Sequence, residues 1–164
     1  MKNIRTEIKW AVSFILMTLL WMVFEKVAGF HSSCIDKHYI VTNFIAIPAI
    51  AIYVLALLDK RRRDYGGFMT YKQGFISGLI ITAIITVVSP LTQVITSLVI
   101  TPEYFPNIIR HSVETGKMDQ AAAEQYFNLG SFIVQGLIGA PVMGIVTTAI
   151  VAIFTRKQNS EVAR

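Results

Sequence analysis

The residues best suited to bind a metal ion lie close together, between the first two apolar stretches of the chain. They are His31, Cys34, Asp36 and His38, and all four residue types can bind zinc or copper. Their spacing matches no standard zinc motif, and so short a loop would need a tight fold to make all four side chains converge. We therefore expect a solvated interfacial loop without a cofactor, whose His and Asp residues cap the second stretch. A metal site in this loop is the alternative.

A second group of polar residues falls inside the apolar stretches. Its members are at similar distances from the same ends of these stretches, so we expect them at similar depth in a bilayer. Polar side chains at that depth are costly unless paired, and an ionisable one is a candidate functional residue. Two interpretations remain open, a hydrogen-bond cluster that holds helices together and an ion or substrate pathway. The group consists of Glu25, Asn43, Gln93 and Gln135.

Glu25 is the ionisable member of this group. It follows an uncharged apolar run and is followed at once by Lys26. If the first helix continues to Phe30, Glu25 lies within the bilayer, while the longer Lys26 side chain can extend to the surface. We therefore expect the Glu25 carboxylate to turn inward, toward amides such as Asn43, Gln93 or Gln135.

Motifs of the common catalytic sites are missing from the sequence. There is no glycine-rich phosphate loop and no His-Glu-x-x-His pair. No serine has the spacing of a nucleophile elbow. We therefore expect that the protein is not an enzyme.

Composition indicates an integral membrane protein. The 164 residues are 54% hydrophobic and only 15% charged, whereas a soluble domain has about 25% charged residues. The net charge of +5 comes from basic residues beside apolar stretches, so it indicates a lipid bilayer as partner and not nucleic acid. The single cysteine, Cys34, excludes a disulfide within the chain.

Four apolar stretches are long enough to cross a bilayer, at about 10–30, 39–58, 73–101 and 127–155. They predict one integral membrane domain over residues 1–164. The first stretch also has features of a signal peptide, since basic residues precede it. Its bulky Trp10 and Trp21 and the acidic Glu25 fit an uncleaved anchor better.

The distribution of Lys and Arg predicts the orientation. Eleven of the 15 basic residues lie near the N-terminus, between the second and third stretches, or near the C-terminus. The positive-inside rule therefore predicts that both termini are cytoplasmic. A topology signal is the preferred role of the basic run 60–63, and binding of anionic lipid is the alternative. The eleven are Lys2, Arg5, Lys9, Lys60, Arg61, Arg62, Arg63, Lys72, Arg156, Lys157 and Arg164.

Small residues recur every three or four positions on two of the stretches. Such ridges allow helix backbones to approach closely in lipid. They predict packing within the bundle and self-association with another copy or a membrane-protein partner. The packing residues are Gly74 and Gly78 in the third stretch and Gly136, Ala140 and Gly144 in the fourth.

The connection between the third and fourth stretches predicts two short helices on the outer surface. Asp119 is placed to cap the second of them. The predicted fold is therefore all-α, a four-helix transmembrane bundle with a short extracytoplasmic helical cap between the third and fourth spans. The leading functional hypothesis is a non-enzymatic structural or accessory subunit. The alternative is a small transporter or ion pathway that uses the polar cluster around Glu25.

Seven short motifs lie at 24–31, 35–38, 47–50, 59–61, 70–75, 101–105 and 123–128. Together they resemble an uncharacterised bacterial membrane family, the domain of unknown function (DUF) number 4199, which occurs mainly in Bacteroidetes. The resemblance covers nearly the whole chain and implies four membrane crossings. With the predicted orientation, we expect a multi-pass protein of the bacterial inner (cytoplasmic) membrane. The resemblance supplies no activity, cofactor or catalytic residue.

Overall fold

The computed structural model describes residues 4–158, so Lys2 and Arg164 of the charge pattern lie outside the described residues. Within that range the chain is helical, apart from turns and one isolated antiparallel bridge between Met69 and Lys157. The α-helices are α1 (Arg5–Val27), α2 (His38–Val41), α3 (Ala46–Asp64), α4 (Tyr71–Ile95), α5 (Tyr104–Glu114), α6 (Gln120–Tyr126) and α7 (Leu129–Thr155).

Among the described residues, four helical stretches are long and apolar enough to cross a membrane, and this confirms the predicted all-helical architecture with four apolar spans. The second stretch joins α2 and α3 through 3-10 turns, and the third continues α4 into a π-helical turn over Thr96–Ile100. The first ends at Val27, three residues before Phe30, because the chain turns sharply at Gly29, which has a φ of +82°. The four stretches are Arg5–Val27, Ile35–Asp64, Tyr71–Ile100 and Leu129–Thr155.

The most extensive helix contact is between α4 and α7, and α1 and α3 pack beside it. Gly78 lies directly against the Thr148 side chain, and Gly144 lies against the Thr82 side chain. A Cβ atom at either glycine would overlap the opposing threonine, so the absence of a side chain sets this close approach. We call this contact the α4–α7 seam.

The other predicted packing residues lie on either side of the α4–α7 seam. Gly74 lies near Met69, Leu57 and Ala152, in the buried core. Gly136 is close to the Ser89 hydroxyl, and together with Ala140 it lines a cavity between α1, α4 and α7. The small residues of α7 therefore meet solid packing at one end of the helix and a cavity at the other.

Two short helices, α5 and α6, connect the third and fourth long stretches. Asp119 precedes α6 and accepts a hydrogen bond at 2.8 Å from the backbone N–H of Ala122. This confirms the predicted role of Asp119 as the N-cap residue of the second short helix. Such a residue stabilises a helix because it pairs an otherwise unpaired amide of the first turn.

Candidate functional site

The last turn of α1 carries the centre of the candidate site, the carboxylate of Glu25. Trp21 and Glu25 are four residues apart and therefore share one face of the helix. The indole N–H of Trp21 donates a hydrogen bond to Oε1 of Glu25 at 2.7 Å. This bond fixes one carboxylate oxygen and leaves Oε2 for other partners.

The turn at Gly29 folds the next segment back over Glu25. The backbone N–H of Cys34 donates to the carbonyl of Gly29 at 2.9 Å, which closes the turn. As a result Nε2 of His31 lies 3.0 Å from Oε2 of Glu25. His38, the first residue of α2, places its own Nε2 3.3 Å from the same oxygen.

Tyr104 of α5 completes this group. Its ring centroid is 5.0 Å from that of His31 and 5.1 Å from that of His38. Its hydroxyl oxygen is 3.5 Å from Nδ1 of His38. Asn107, one helical turn further along α5, donates to the carbonyl of His31 at 3.0 Å. We call Trp21, Glu25, His31, His38 and Tyr104 the Glu25 cluster.

The Glu25 cluster is almost closed to solvent. Glu25 has 0% and His31 6% of its surface exposed, and the His38 side chain is 15% exposed. Burial, and then the nearby charge of Glu25, raise the pKa of Tyr104 above its ordinary value, so this phenol stays neutral. A buried carboxylate facing two imidazoles can hold a cation or share a proton with them.

Three adjoining cavities lie near the Glu25 cluster, and two of them are lined by its residues. One of about 120 Å³ is lined by His31, His38 and Gln93. A second, of about 320 Å³, shares His31 and Tyr104 with it and lies beside the start of α5. A third, of about 270 Å³, shares Gln93 and Thr96 with the first and reaches the middle of α1. Thr18, Ser89 and Thr92 are among the residues that line this third cavity, whose surface is mostly apolar.

The three predicted amide partners do not bind Glu25, whose hydrogen-bond partners among the described residues are Trp21, His31 and His38. The amide of Asn43 is exposed and donates to the carbonyl of Tyr39 within its own helical stretch. Gln93 donates to Ser97 at 3.0 Å, although it lines the same cavity as the two histidines. Gln135 is exposed and lines a separate cavity beside α6.

The predicted loop group is also divided by the structure. His31 and His38 turn toward Glu25. Asp36 is exposed, and the half-buried Cys34 does not belong to the group that Glu25 forms with the two histidines. Sequence reasoning treated the loop and the span as separate groups, so it missed their convergence. The four-residue spacing of Trp21 and Glu25 was a signal that it could have used.

A second buried carboxylate, Glu7, lies at the other end of α1. The Lys60 ammonium is 2.8 Å from Oε1 of Glu7 and 2.8 Å from a carboxylate oxygen of Asp64. Ser77 donates to Glu7 at 2.8 Å, and Thr6 donates to Asp64 at 3.1 Å. We call these five residues the Glu7 cluster. Sequence reasoning missed it because Lys60 was counted with the basic run.

Other residues of the basic run are also engaged. Arg61 donates to the carbonyl of Thr155 at 2.8 Å, and Arg63 donates to Asp59 of the same helix. Arg62 is exposed. Arg61 therefore connects the end of α3 to the end of α7, and Arg63 forms an ion pair within α3, in addition to any role of the run as a topology signal.

Fold and site together define an all-helical protein with four helices of membrane-spanning length and a buried carboxylate–imidazole group at one end. The chain belongs to the DUF4199 family of proteins of unknown function, whose family model matches residues 9–157. No curated protein and no solved structure matches the chain.

Proposed function

We propose that this chain is a non-enzymatic, multi-pass protein of the bacterial inner membrane that acts as a structural or accessory subunit. Its four long helices form one transmembrane bundle with both termini in the cytoplasm. Helices α5 and α6 form an extracytoplasmic cap. The observation that carries this proposal is the buried apolar layer of packed side chains between the Glu7 cluster and the Glu25 cluster.

This layer separates the ionisable groups at the two ends of α1. Its buried members include Ala11, Leu57 and Ile81. Ile85 and Phe14 extend the layer and also line the third cavity. The buried hydroxyl of Tyr53 is satisfied by Thr82 at 2.8 Å. A layer that is apolar and internally hydrogen-bonded supports a static bundle, because moving an ion through it would expose that ion to lipid-like surroundings.

Gln135 supports association with a partner within the membrane. It is exposed on α7, and it lines an open cavity of about 630 Å³ together with Met118 and Tyr126. A polar amide on a helix surface within lipid is stabilised when another helix supplies a hydrogen-bond partner. A second copy of this chain, or another membrane protein, would satisfy this amide.

The test is the mass of the particle purified in mild detergent, with all copurifying proteins identified. We expect a complex larger than the 18.3 kDa chain. Gln135→Leu should lower the affinity of this association by about tenfold, because an interhelical hydrogen bond of about 1–2 kcal/mol is lost. Val146→Leu, at an exposed position of the same helix, is the matched control. A single chain without any partner would contradict the accessory role.

The proposed orientation has a separate test by thiol labelling in intact cells. A membrane-impermeant reagent added outside should label Cys34, and it should label Lys117→Cys in a Cys34→Ser background. Arg62→Cys in that background should react only after the membrane is opened. Labelling of Arg62→Cys from outside would reverse the proposed topology.

The adjoining cavities favour a second candidate function, a small transporter or ion pathway through the Glu25 cluster. In that case water reaches the third cavity. Ser89→Cys in a Cys34→Ser background should then react with the impermeant reagent from outside. Ile81→Cys, in the packed layer, is its control. Protection of both positions supports the structural role instead.

A further inference from the structure

We propose that Glu25, His31 and His38 bind a divalent transition-metal ion, for which Zn²⁺ is the test ion. Two imidazoles and one carboxylate form a ligand set typical of such ions. The proposal goes beyond the accessory function, because an ion can bind whether or not the chain joins a complex. It also changes the ligand set considered from sequence, since Glu25 of α1 takes the place of Cys34 and Asp36.

The distances between the ligand atoms fit a metal centre. Zinc binds imidazole nitrogen and carboxylate oxygen at about 2.0–2.2 Å, so neighbouring ligands of a tetrahedral site are about 3.3–3.5 Å apart. Oε2 of Glu25 is 3.0 Å from Nε2 of His31 and 3.3 Å from Nε2 of His38. One ligand-type atom of each residue lies within 4.8 Å of the other two. Small side-chain shifts would bring the three to coordination distance.

The groups around these ligands resemble the outer shell of a metal site. The indole N–H of Trp21 holds Oε1 of Glu25, which leaves Oε2 directed at the imidazoles. The Tyr104 hydroxyl lies 3.5 Å from Nδ1 of His38, on the opposite edge of that ring from Glu25. Hydrogen bonds at such positions fix the orientation of ligands and raise metal affinity.

Space for a further ligand and a route to the site are both present. The cavity of about 120 Å³ that His31 and His38 line exceeds the volume of about 30 Å³ that one water takes in the liquid. The adjoining cavity of about 320 Å³ connects this region to the exposed residues Lys26 and Glu103. Nδ1 of His31 is buried without a hydrogen-bond partner among the described residues, and a water in either cavity can satisfy it.

The first experiment measures zinc bound to the purified full chain after removal of metals with a chelator and dialysis against micromolar Zn²⁺. We expect one ion per chain, which excess Mg²⁺ does not displace because imidazole suits zinc better than magnesium. Zinc X-ray absorption of the wild-type protein should show two imidazole ligands. A wild-type protein that binds no zinc, or binds it without imidazole, overturns the proposal.

Variants assign the ligands. We expect His31→Gln and His38→Gln each to weaken zinc binding by at least about tenfold, since loss of outer-shell partners alone typically costs 10–100-fold. His111→Gln, at the remaining histidine of the chain, and Cys34→Ser should bind zinc as the wild type does. Circular dichroism checks that each variant is folded. If folded His31 and His38 variants keep wild-type affinity, or if Cys34→Ser loses it, the assignment is wrong.

Discussion

Each end of α1 buries a carboxylate, and the two carboxylates are stabilised by different partners. Glu7 and Glu25 are both buried carboxylates on one helix, about 27 Å apart at 1.5 Å per residue. Glu7 faces a buried lysine, and a second carboxylate, Asp64, shares that lysine. Glu25 faces two imidazoles, whose charge depends on their protonation, and an indole N–H. The Glu7 end therefore contains a permanent ion pair, whereas the Glu25 end can exchange protons or metal ions.

The packing around the two carboxylates differs as well. It is tight near Glu7, whereas cavities lie beside Glu25. Ser77 of α4 donates to Glu7, and the neighbouring Gly78 belongs to the tightly packed α4–α7 seam. Cavities adjoin the Glu25 cluster, and the chain near them contains a π-helical turn over Thr96–Ile100. Such turns are frequent at functional sites. The comparison indicates that the Glu7 end stabilises the bundle and that the Glu25 end is available for binding.

The largest expected effect comes from removing the cation of the Glu7 cluster. Lys60→Met leaves the buried Glu7 without its positive partner, and breaking a buried ion pair in this way typically costs about 3–5 kcal/mol. We expect a loss of that size in the free energy of unfolding, measured in detergent. Lys9→Met is the matched control, because the Lys9 side chain is 51% exposed in its pair with Asp59. It should cost at most about 1 kcal/mol. Equal effects would mean that burial of Lys60 is not important for stability.

The next effect concerns the α4–α7 seam. Gly78→Ile would drive a branched side chain into Thr148, and we expect a loss of about 1–3 kcal/mol in the free energy of unfolding. Gly144→Ile should behave alike because it meets Thr82. Gly139→Ile is the control, since a Cβ atom there would have no neighbour within 4 Å. Wild-type thermal stability of both seam variants would show that the glycines do not set the helix spacing.

The long helices could be predicted from sequence because length and apolar composition are local properties. The seam could be anticipated in part, since small residues at steps of four mark a packing face, but the opposing threonines could not be assigned. The partners of Glu25 were predicted wrongly, because similar depth in separate spans does not show which side chains meet. They are an indole and two imidazoles and not the amides. The turn at Gly29 returns His31 to the helix end, and that reversal depends on loop geometry. The pairing of Lys60 with Glu7 joins residues far apart in sequence, and no local pattern indicates it.

Each end of α1 also has a tryptophan that donates a hydrogen bond to a carboxylate, so removing each indole N–H compares the two ends directly. Trp21 donates to the fully buried Glu25, and Trp10 donates to Asp59 at 2.9 Å. Asp59 is 17% exposed and keeps two basic partners, so Trp10→Phe should cost less than about 1 kcal/mol. Trp21→Phe should cost about 1–3 kcal/mol, because it leaves a fully buried carboxylate oxygen without its hydrogen-bond donor. Unfolding in detergent measures both, and a larger loss for Trp10→Phe would contradict this difference.

The smallest expected effect comes from removing the charge of Glu25 itself, and it tests the comparison most directly. Glu25→Gln still accepts from Trp21 and can donate to one neutral imidazole, so metal-free protein should lose less than about 1 kcal/mol of stability. Glu7→Gln removes a fixed charge from beside Lys60, and a charged hydrogen bond of this kind contributes about 1.5–3 kcal/mol. Glu25→Leu provides the contrast at the same position. It leaves the indole N–H and the two imidazoles without an acceptor, and it should cost more than Glu25→Gln. Unfolding curves of the three variants, recorded after metal removal, give the order of the effects. If Glu25→Gln is as damaging as Glu7→Gln, the carboxylate charge holds the Glu25 end together in the same way, and the proposed division between a stabilising end and a binding end is wrong.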